Sequence, residues 1–177
     1  MQTYDDQLSL NRIGSSNAID GQWFLPFTLH RLRTYTDQQE ILVTVTLHGI
    51  QPQSPVTRRL LLHWDEGSPV LTNPPVQEHV ITEWAACGIA YAILPLYTQF
   101  QLIEVAQSGD RFDYWVGDGK VLLGLEVSGV LHGQSARRQR DKVRQLLDNP
   151  YGIGGYVCVV HFGEQSIQLS FHAPGGN

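Results

Sequence analysis

Hydrophobic and polar residues alternate most clearly in residues 40–48, where Ile, Val, Val and Leu occupy every second position. This period of two is typical of a strand that is buried on one face. Residues 23–33 and 57–64 have the composition of two further strands. We therefore expect an antiparallel β region over residues 23–65, which needs another layer to cover its apolar face.

Three polar segments flank or interrupt these patterns. Residues 1–22 carry Ser, Asn and Gly breakers and are expected to form a flexible N-terminal arm. Acidic, Gly and Pro residues cluster in residues 65–75, which are expected to form a linker. Residues 173–177 are expected to form a tail, which leaves residues 75–172 as the main domain.

A largely buried helix is predicted over residues 76–94, where apolar residues cover most of the circumference. Asn73 offers an N-cap, and Pro95 is expected to end the helix. Glu83 is the exception within this apolar run. Because a buried carboxylate needs a partner or a metal ion, Glu83 either takes part in a site or faces solvent at one end of the packing.

Five strands and one helix are predicted in the rest of the main domain. The predicted strands are residues 99–107, two strands within residues 110–131, and residues 155–162 and 165–172, and the predicted helix is residues 134–148. The order from residue 75 is therefore helix, three strands, helix and two strands. Such a chain belongs to the α+β or α/β class.

Acidic residues stand on both strands of the hairpin in residues 110–131. Alternate residues of a strand point to the same face, so Glu126 and Ser128 share one side. The Gly-Asp-Gly-Lys turn is expected to bring Asp113 close to them. Two adjacent carboxylates are unfavourable without a cation, and a hard divalent metal binds oxygen ligands of this kind. The alternative is a pair of solvated carboxylates on an ordinary strand face.

Composition and charge restrict the partners that the chain can bind. A hydrophobic content of 42% indicates a folded domain, and the formal net charge of -5 removes the simple electrostatic case for nucleic-acid binding. Positive charge is concentrated in the predicted helix at residues 134–148. That segment is either a solvated helix face or a phosphate-contacting surface, and its cations are Arg137, Arg138, Arg140, Lys142 and Arg144.

The cysteines and the N-terminal sequence indicate the compartment. Cys87 and Cys158 are both flanked by apolar residues, which predicts two buried free thiols and suits a reducing cytosol. The N-terminal segment is polar, and the apolar run at residues 85–96 is too short to span a bilayer. We expect a soluble cytoplasmic protein without a membrane partner.

An Asp on one strand, followed after a hairpin by Glu-Val-Ser on the next, resembles the Asp and Glu-x-Lys signature of the PD-(D/E)XK nuclease superfamily. The predicted order of elements over residues 75–172 agrees with the αβββαβ core of that restriction-endonuclease-like fold, with the N-terminal β region as an extension. The resemblance implies that Asp113 and Glu126, supported by Glu83, bind Mg²⁺ or Mn²⁺. It also implies a nucleic-acid-binding surface formed by Arg137, Arg138, Gln139 and Arg140.

The sequence departs from that family at the motif lysine, where Ser128 stands. The family's lysine positions or activates the attacking water, and a serine carries no charge for this role. Lys120 on the turn or Lys142 on the following helix could replace it, and the sequence does not decide between them. The catalytic set implied by the resemblance is therefore Asp113, Glu126, Ser128 and Lys142.

Three functions follow from these expectations. The first is a metal-dependent phosphodiesterase acting on DNA or RNA, in a defence or DNA-processing system. The second is a catalytically degenerate relative that serves as a subunit or binding module in a larger nucleic-acid-processing assembly, with a protein partner or a second copy of itself. The third is an α/β scaffold unrelated to nucleases, in which Asp113 and Glu126 would lie far apart.

Overall fold

The strands of this chain assemble into one mixed sheet. A computed structural model describes residues 3–13, 15 and 17–175. Across the sheet the strand order is β1-β3-β2-β8-β7-β6-β5-β4. The strands are β1 (Asp6–Ser9), β2 (Glu40–His48), β3 (Val56–His63), β4 (Gln101–Val105), β5 (Tyr114–Gly117), β6 (Leu122–Val130), β7 (Gly155–His161) and β8 (Ser166–His172). Because β2 pairs with β8, the predicted N-terminal β region and the main domain share one sheet.

Three α-helices of the described residues cover the two faces of this sheet. They are α1 (Leu25–Leu32), α2 (Glu78–Tyr97) and α3 (Ser135–Leu147). On β7, Cys158 faces the core formed with α1 and α2, whereas Val157 and Val159 pack against Leu146 of α3. Every residue of β7 is buried, as expected for a central strand covered on both faces. The protein is therefore a mixed α/β fold, in agreement with the predicted class.

Helix α2 is the central helix of the larger core. Among the helices of the described residues, α2 alone is long and apolar enough to cross a membrane. However, 61% of its most apolar 18-residue segment is buried inside the protein. Most of its apolar surface is therefore covered by the rest of the fold. Cys87 of this helix and Cys158 are both free thiols, as predicted, but only Cys158 is buried and Cys87 is partly exposed.

The prediction of a strand over residues 23–33 is wrong. These residues form a short 3-10 turn (Gln22–Phe24) followed by helix α1. Leu25, Leu29 and Leu32 are buried at positions i, i+4 and i+7, which is the spacing of a helix face that packs against a neighbouring element. Pro26 lies in the first turn, where its missing N–H costs little.

The expectation of a flexible arm over residues 1–22 also needs correction. Strand β1 pairs in parallel with β3, and Leu10 and Ile13 are buried. Residues 6–9 are thus an edge strand of the sheet, and a 3-10 turn (Leu10–Arg12) follows it. Residues 1, 2, 14 and 16 of that predicted arm, and residues 176 and 177 of the predicted tail, lie outside the described residues.

The predicted ends of the central helix differ from the observed ones. Gln77, not Asn73, precedes the first residue of α2, and Pro95 lies inside the last turn rather than ending the helix. A proline within a helix leaves the carbonyl four residues earlier without its usual N–H donor. Here that carbonyl belongs to Tyr91, and it accepts a hydrogen bond from Nδ2 of Asn17 at 2.9 Å. This side-chain bond lets the helix continue to Tyr97.

Candidate functional site

The predicted carboxylates lie where β5 separates from β6. Strand β6 pairs with β5 from Leu122 to Leu125, but with β7 as far as Val130. On the β5 side, residues 126–130 therefore extend beyond the last paired residue, and their backbone groups need other partners. Two carboxylates supply them. Oδ2 of Asp113 accepts a hydrogen bond from the Val127 N–H at 2.8 Å, and Oε2 of Glu83 accepts one from the Gly129 N–H at 3.0 Å.

Glu126 and Lys142 form a buried ion pair between β6 and α3. Glu126 is fully buried, and its Oε1 contacts Nζ of Lys142, whose side chain is 19% exposed. The other carboxylate oxygen of Glu126, Oε2, is buried and has no hydrogen-bond partner among the described residues. Burial raises the pKa of Glu126 to about 7, the nearby Asp113 carboxylate adds to this increase, and the Lys142 cation opposes it.

Asp113 stands beside Glu126, as the hairpin predicts. Its backbone N–H donates to the carbonyl of Leu125 at 2.9 Å, which places it next to the residue that follows in β6. The side chain is half-buried, and this burial raises the pKa of Asp113. The hydrogen bond from Val127 and the charge of Lys142 oppose that shift. The two carboxylates thus interact electrostatically, and Lys142 acts on both.

Glu83 connects α2 to the exposed edge of β6. Besides binding Gly129, its carboxylate accepts a hydrogen bond from Oγ of Ser128 at 3.2 Å and lies 3.9 Å from Nη2 of Arg138. Its side chain is 37% exposed, so it both contacts the site and reaches solvent. This close approach of α2 requires Gly129, because a Cβ there would collide with the backbone carbonyl of Thr82.

The structure separates the two lysines that could replace the missing motif lysine. Lys120 lies on the turn between β5 and β6, next to the pair formed by Gly117 and Leu122. Glu126 is four positions beyond Leu122, or about 13 Å along the strand, so Lys120 lies at the far end of the hairpin. Lys142 contacts Glu126 directly. The helix lysine is therefore the one at the site.

Ser128 is not placed as a catalytic group. It is fully buried, and its hydroxyl is hydrogen-bonded to Glu83. A serine at this position cannot carry the positive charge of the expected lysine. Its hydroxyl instead holds the Glu83 carboxylate against β6.

The predicted nucleic-acid-binding residues divide into two groups. Arg137, Arg138 and Arg140 are exposed, and the first two line a concavity of about 390 Å³ beside the site. Gln139 points elsewhere, because its Nε2 donates to Oγ of the buried Ser170 on β8 and its Oε1 is buried. Its assignment to the nucleic-acid-binding surface is corrected accordingly, since a helix residue two positions from Arg137 faces another direction.

A cleft of about 450 Å³ opens at the site. Glu83, Asp113 and Lys142 line it, and Glu126 lies beneath its surface. Five aromatic residues also line this cleft, and two of them, Trp23 and Trp84, are tryptophans that were not predicted as site residues. Recognising the helical spacing in residues 23–33 would have indicated that Trp23 lies near the buried central helix.

A metal ion at this site would need several oxygen donors close together. In the part of the chain that the structure describes, no group of three or more His, Cys, Asp and Glu side chains is placed to hold an ion. Asp113 and Glu126 nevertheless offer hard oxygen donors side by side, and Oε2 of Glu126 is an unpartnered buried acceptor. These two carboxylates fit a divalent cation in their chemistry.

Comparisons with protein-family models, with curated proteins and with solved structures found no significant match to this chain.

Proposed function

We propose that this protein is a metal-dependent phosphodiesterase acting on nucleic acid, with a core like that of the PD-(D/E)XK nucleases. The observation that carries the proposal is the contact between Lys142 and Glu126 beside Asp113. A lysine supplied by α3 gives the site two carboxylates and one ammonium group, although Ser128 stands at the expected lysine position. The site therefore has the charges that this chemistry needs.

The order of elements supports the same proposal. From α2 the chain runs through β4, β5 and β6, then α3 and β7, which is the αβββαβ order of the family. Strand β6 lies between antiparallel β5 and parallel β7, and it carries Glu126. The remaining strands, β1, β2, β3 and β8, extend this core on the far side of β7.

The proposed roles follow from the contacts of each residue. Asp113 and Glu126, with the Val127 carbonyl, would hold Mg²⁺ or Mn²⁺, and such an ion lowers the pKa of bound water and neutralises charge on a scissile phosphate. Nζ of Lys142 would orient the attacking water or a phosphate oxygen. Glu83 positions β6 by binding the Gly129 N–H. Arg138, on the neighbouring surface of α3, would contact an adjacent phosphate.

One observation favours a second function, that of a non-catalytic binding module in a nucleic-acid-processing assembly. Asp113 and Glu83 complete the backbone hydrogen bonds of β6, and Lys142 neutralises Glu126. These residues thus stabilise the fold without any metal. A protein that had lost catalysis could keep all of them for that reason alone.

Cleavage assays with matched variants distinguish the two functions. Single- and double-stranded DNA and RNA are incubated with the protein in Mn²⁺, Mg²⁺ or EDTA. We expect cleavage that depends on the metal and is lost in Asp113→Asn and in Glu126→Gln. The control is Glu66→Gln, which removes an exposed carboxylate from the loop before α2.

Two results would contradict the proposal. Cleavage that survives both Asp113→Asn and Glu126→Gln would mean that these carboxylates do not form the active site. If no substrate is cleaved, and calorimetry detects no Mn²⁺ binding, the second function is favoured instead.

A further inference from the structure

A large aromatic side chain is exposed at the rim of the site. Trp23 is 56% exposed, and it lines the same cleft as Asp113, Glu83 and Lys142. Its ring centroid lies 5.4 Å from that of Trp84 and 4.4 Å from that of Phe24. The ring is therefore held in place by aromatic neighbours while more than half of the side chain remains accessible.

The aromatic support extends into the core. Trp84 makes an edge-to-face contact with Phe27 of α1, with a centroid distance of 4.8 Å, and Phe24 packs on Tyr91 of α2. Trp23 thus sits on a rigid junction of α1 and α2 and not on a mobile loop tip. A rigid aromatic surface provides contact area at a low cost in conformational entropy, and for this reason such residues are common in binding sites.

Charge alone does not attract a polyanion to this cleft. Asp20, Glu83 and Asp113 line it, and Lys142 is the one cation among the described residues that line it. The protein as a whole has a formal net charge of -5. Affinity for nucleic acid must therefore come partly from contacts that do not depend on phosphate charge, and stacking of bases on aromatic rings is the main contact of that kind.

An arginine beside the cleft belongs to a neighbouring cationic surface. Arg138 lies 3.9 Å from Glu83, a cleft residue, and also lines the 390 Å³ concavity together with Arg137. A cleft of 450 Å³ is within the range that accepts a small ligand or one nucleotide. A nucleotide in the cleft could continue its backbone toward the two arginines.

We propose that Trp23, supported by Trp84, is a stacking platform for an unpaired nucleobase, and that single-stranded nucleic acid is the substrate class of this site. This inference rests on the proposed nuclease function. In a duplex each base is already stacked between its neighbours and paired, so it offers no free face without being flipped out. In a single strand the base can leave the stack at little cost.

The test is binding without cleavage. Fluorescence anisotropy measures the affinity of short labelled single-stranded DNA and RNA, of the matched duplexes, and of a strand in which abasic sites replace the bases, all in EDTA at low salt. We expect Trp23→Ala to weaken the binding of intact single strands by about 5- to 100-fold, which corresponds to one stacked base. Binding of the abasic strand should not change.

Two further variants serve as controls. Trp23→Phe keeps an aromatic ring at the rim and should retain most of the affinity. It also keeps the test valid if Trp23→Ala is unstable through loss of packing against Trp84. Tyr4→Ala removes another exposed aromatic residue, 45% exposed, that is not among the residues lining the cleft, and should leave binding unchanged.

The outcomes separate this inference from the proposed function. Three results would overturn the platform. The first is that Trp23→Ala weakens the binding of intact and abasic strands equally. The others are tighter binding of duplex that Trp23→Ala does not affect, and no binding at millimolar oligonucleotide. If cleavage in Mn²⁺ persists undiminished in Trp23→Ala, the nuclease stands and the platform fails. Binding that depends on Trp23 without any cleavage would leave a single-strand binding module.

Discussion

Nζ of Lys142 on α3 contacts Oε1 of Glu126 on β6, so a partly exposed cation is paired with a fully buried carboxylate. Sixteen positions separate the two residues, and the crossing from β6 to α3 brings them together. Removing one partner of a buried pair leaves an uncompensated charge, which is costly in a low-dielectric interior. The contact therefore affects stability as well as the proposed chemistry.

Replacing Lys142 should destabilise the fold. We expect Lys142→Met to lower the free energy of unfolding by about 2 to 3 kcal/mol, because it leaves Glu126 buried without a cation. Urea denaturation in EDTA measures the change. Lys120→Met, on the exposed turn, should change stability by less than about 0.5 kcal/mol. The double variant Lys142→Met with Glu126→Gln should recover most of the lost free energy of unfolding. If it does not, Lys142 stabilises the fold through packing and not through its charge.

The pKa of Glu126 predicts how stability depends on pH. In the folded protein this pKa is raised from 4.5 to about 7. The folded state therefore holds a proton that the unfolded chain releases, so the free energy of unfolding falls as pH rises from 4.5 to 7 and levels off above that range. The raised pKa of Asp113 acts in the same direction.

Glu126→Gln should remove most of this dependence. The stability of this variant relative to the original protein should rise between pH 5 and pH 8, by about 3 kcal/mol at most. Unfolding curves in EDTA across that pH range provide the measurement, with Glu66→Gln expected to follow the original protein. A difference in stability between the two proteins that is constant with pH, or that shifts against Glu126→Gln as pH rises, would contradict a raised pKa of Glu126.

Local patterns were sufficient to predict much of the site. The alternation of Glu126 and Ser128 with Val127 indicated a common face, and the Gly-rich turn indicated that Asp113 would lie close by. Each of these depends on residues near in sequence. The helix at residues 134–148 was predicted within one residue at each end, because its polar, Arg-rich composition and flanking Gly and Pro residues are local signals.

Other features depend on contacts between distant segments and were not predicted. The parallel pairing of β2 with β8 joins residues more than 100 positions apart, and no local signal encodes it. The burial of Leu10 depends on the edge of the sheet that forms beside it. The prediction of a strand over residues 23–33 did not reveal that the ring of Trp23, in the 3-10 turn before α1, lies 5.4 Å from that of Trp84.

The close contact between α2 and β6 predicts that Gly129 cannot be enlarged. A Cβ at this position would collide with the Thr82 carbonyl, so Gly129→Ala must displace the helix and with it Glu83. We expect a loss of about 1 to 3 kcal/mol in the free energy of unfolding. Gly67→Ala is the control, because nothing lies within 4 Å of a Cβ there. Equal stability of the two variants would show that the helix shifts freely.

The last prediction compares Ser128 with Lys142 in catalysis. Ser128→Ala removes the hydroxyl that donates to Glu83, and Glu83 keeps its bond to Gly129 and its access to solvent. We expect about 1 kcal/mol of lost stability, with most of the Mn²⁺-dependent cleavage retained. Lys142→Ala should lose cleavage, and Lys142→Arg, which keeps the positive charge, should lose less. If Ser128→Ala is folded but as inactive as Lys142→Ala, then Ser128 takes part in the chemistry. Lys142 alone would then not replace the lysine expected at position 128.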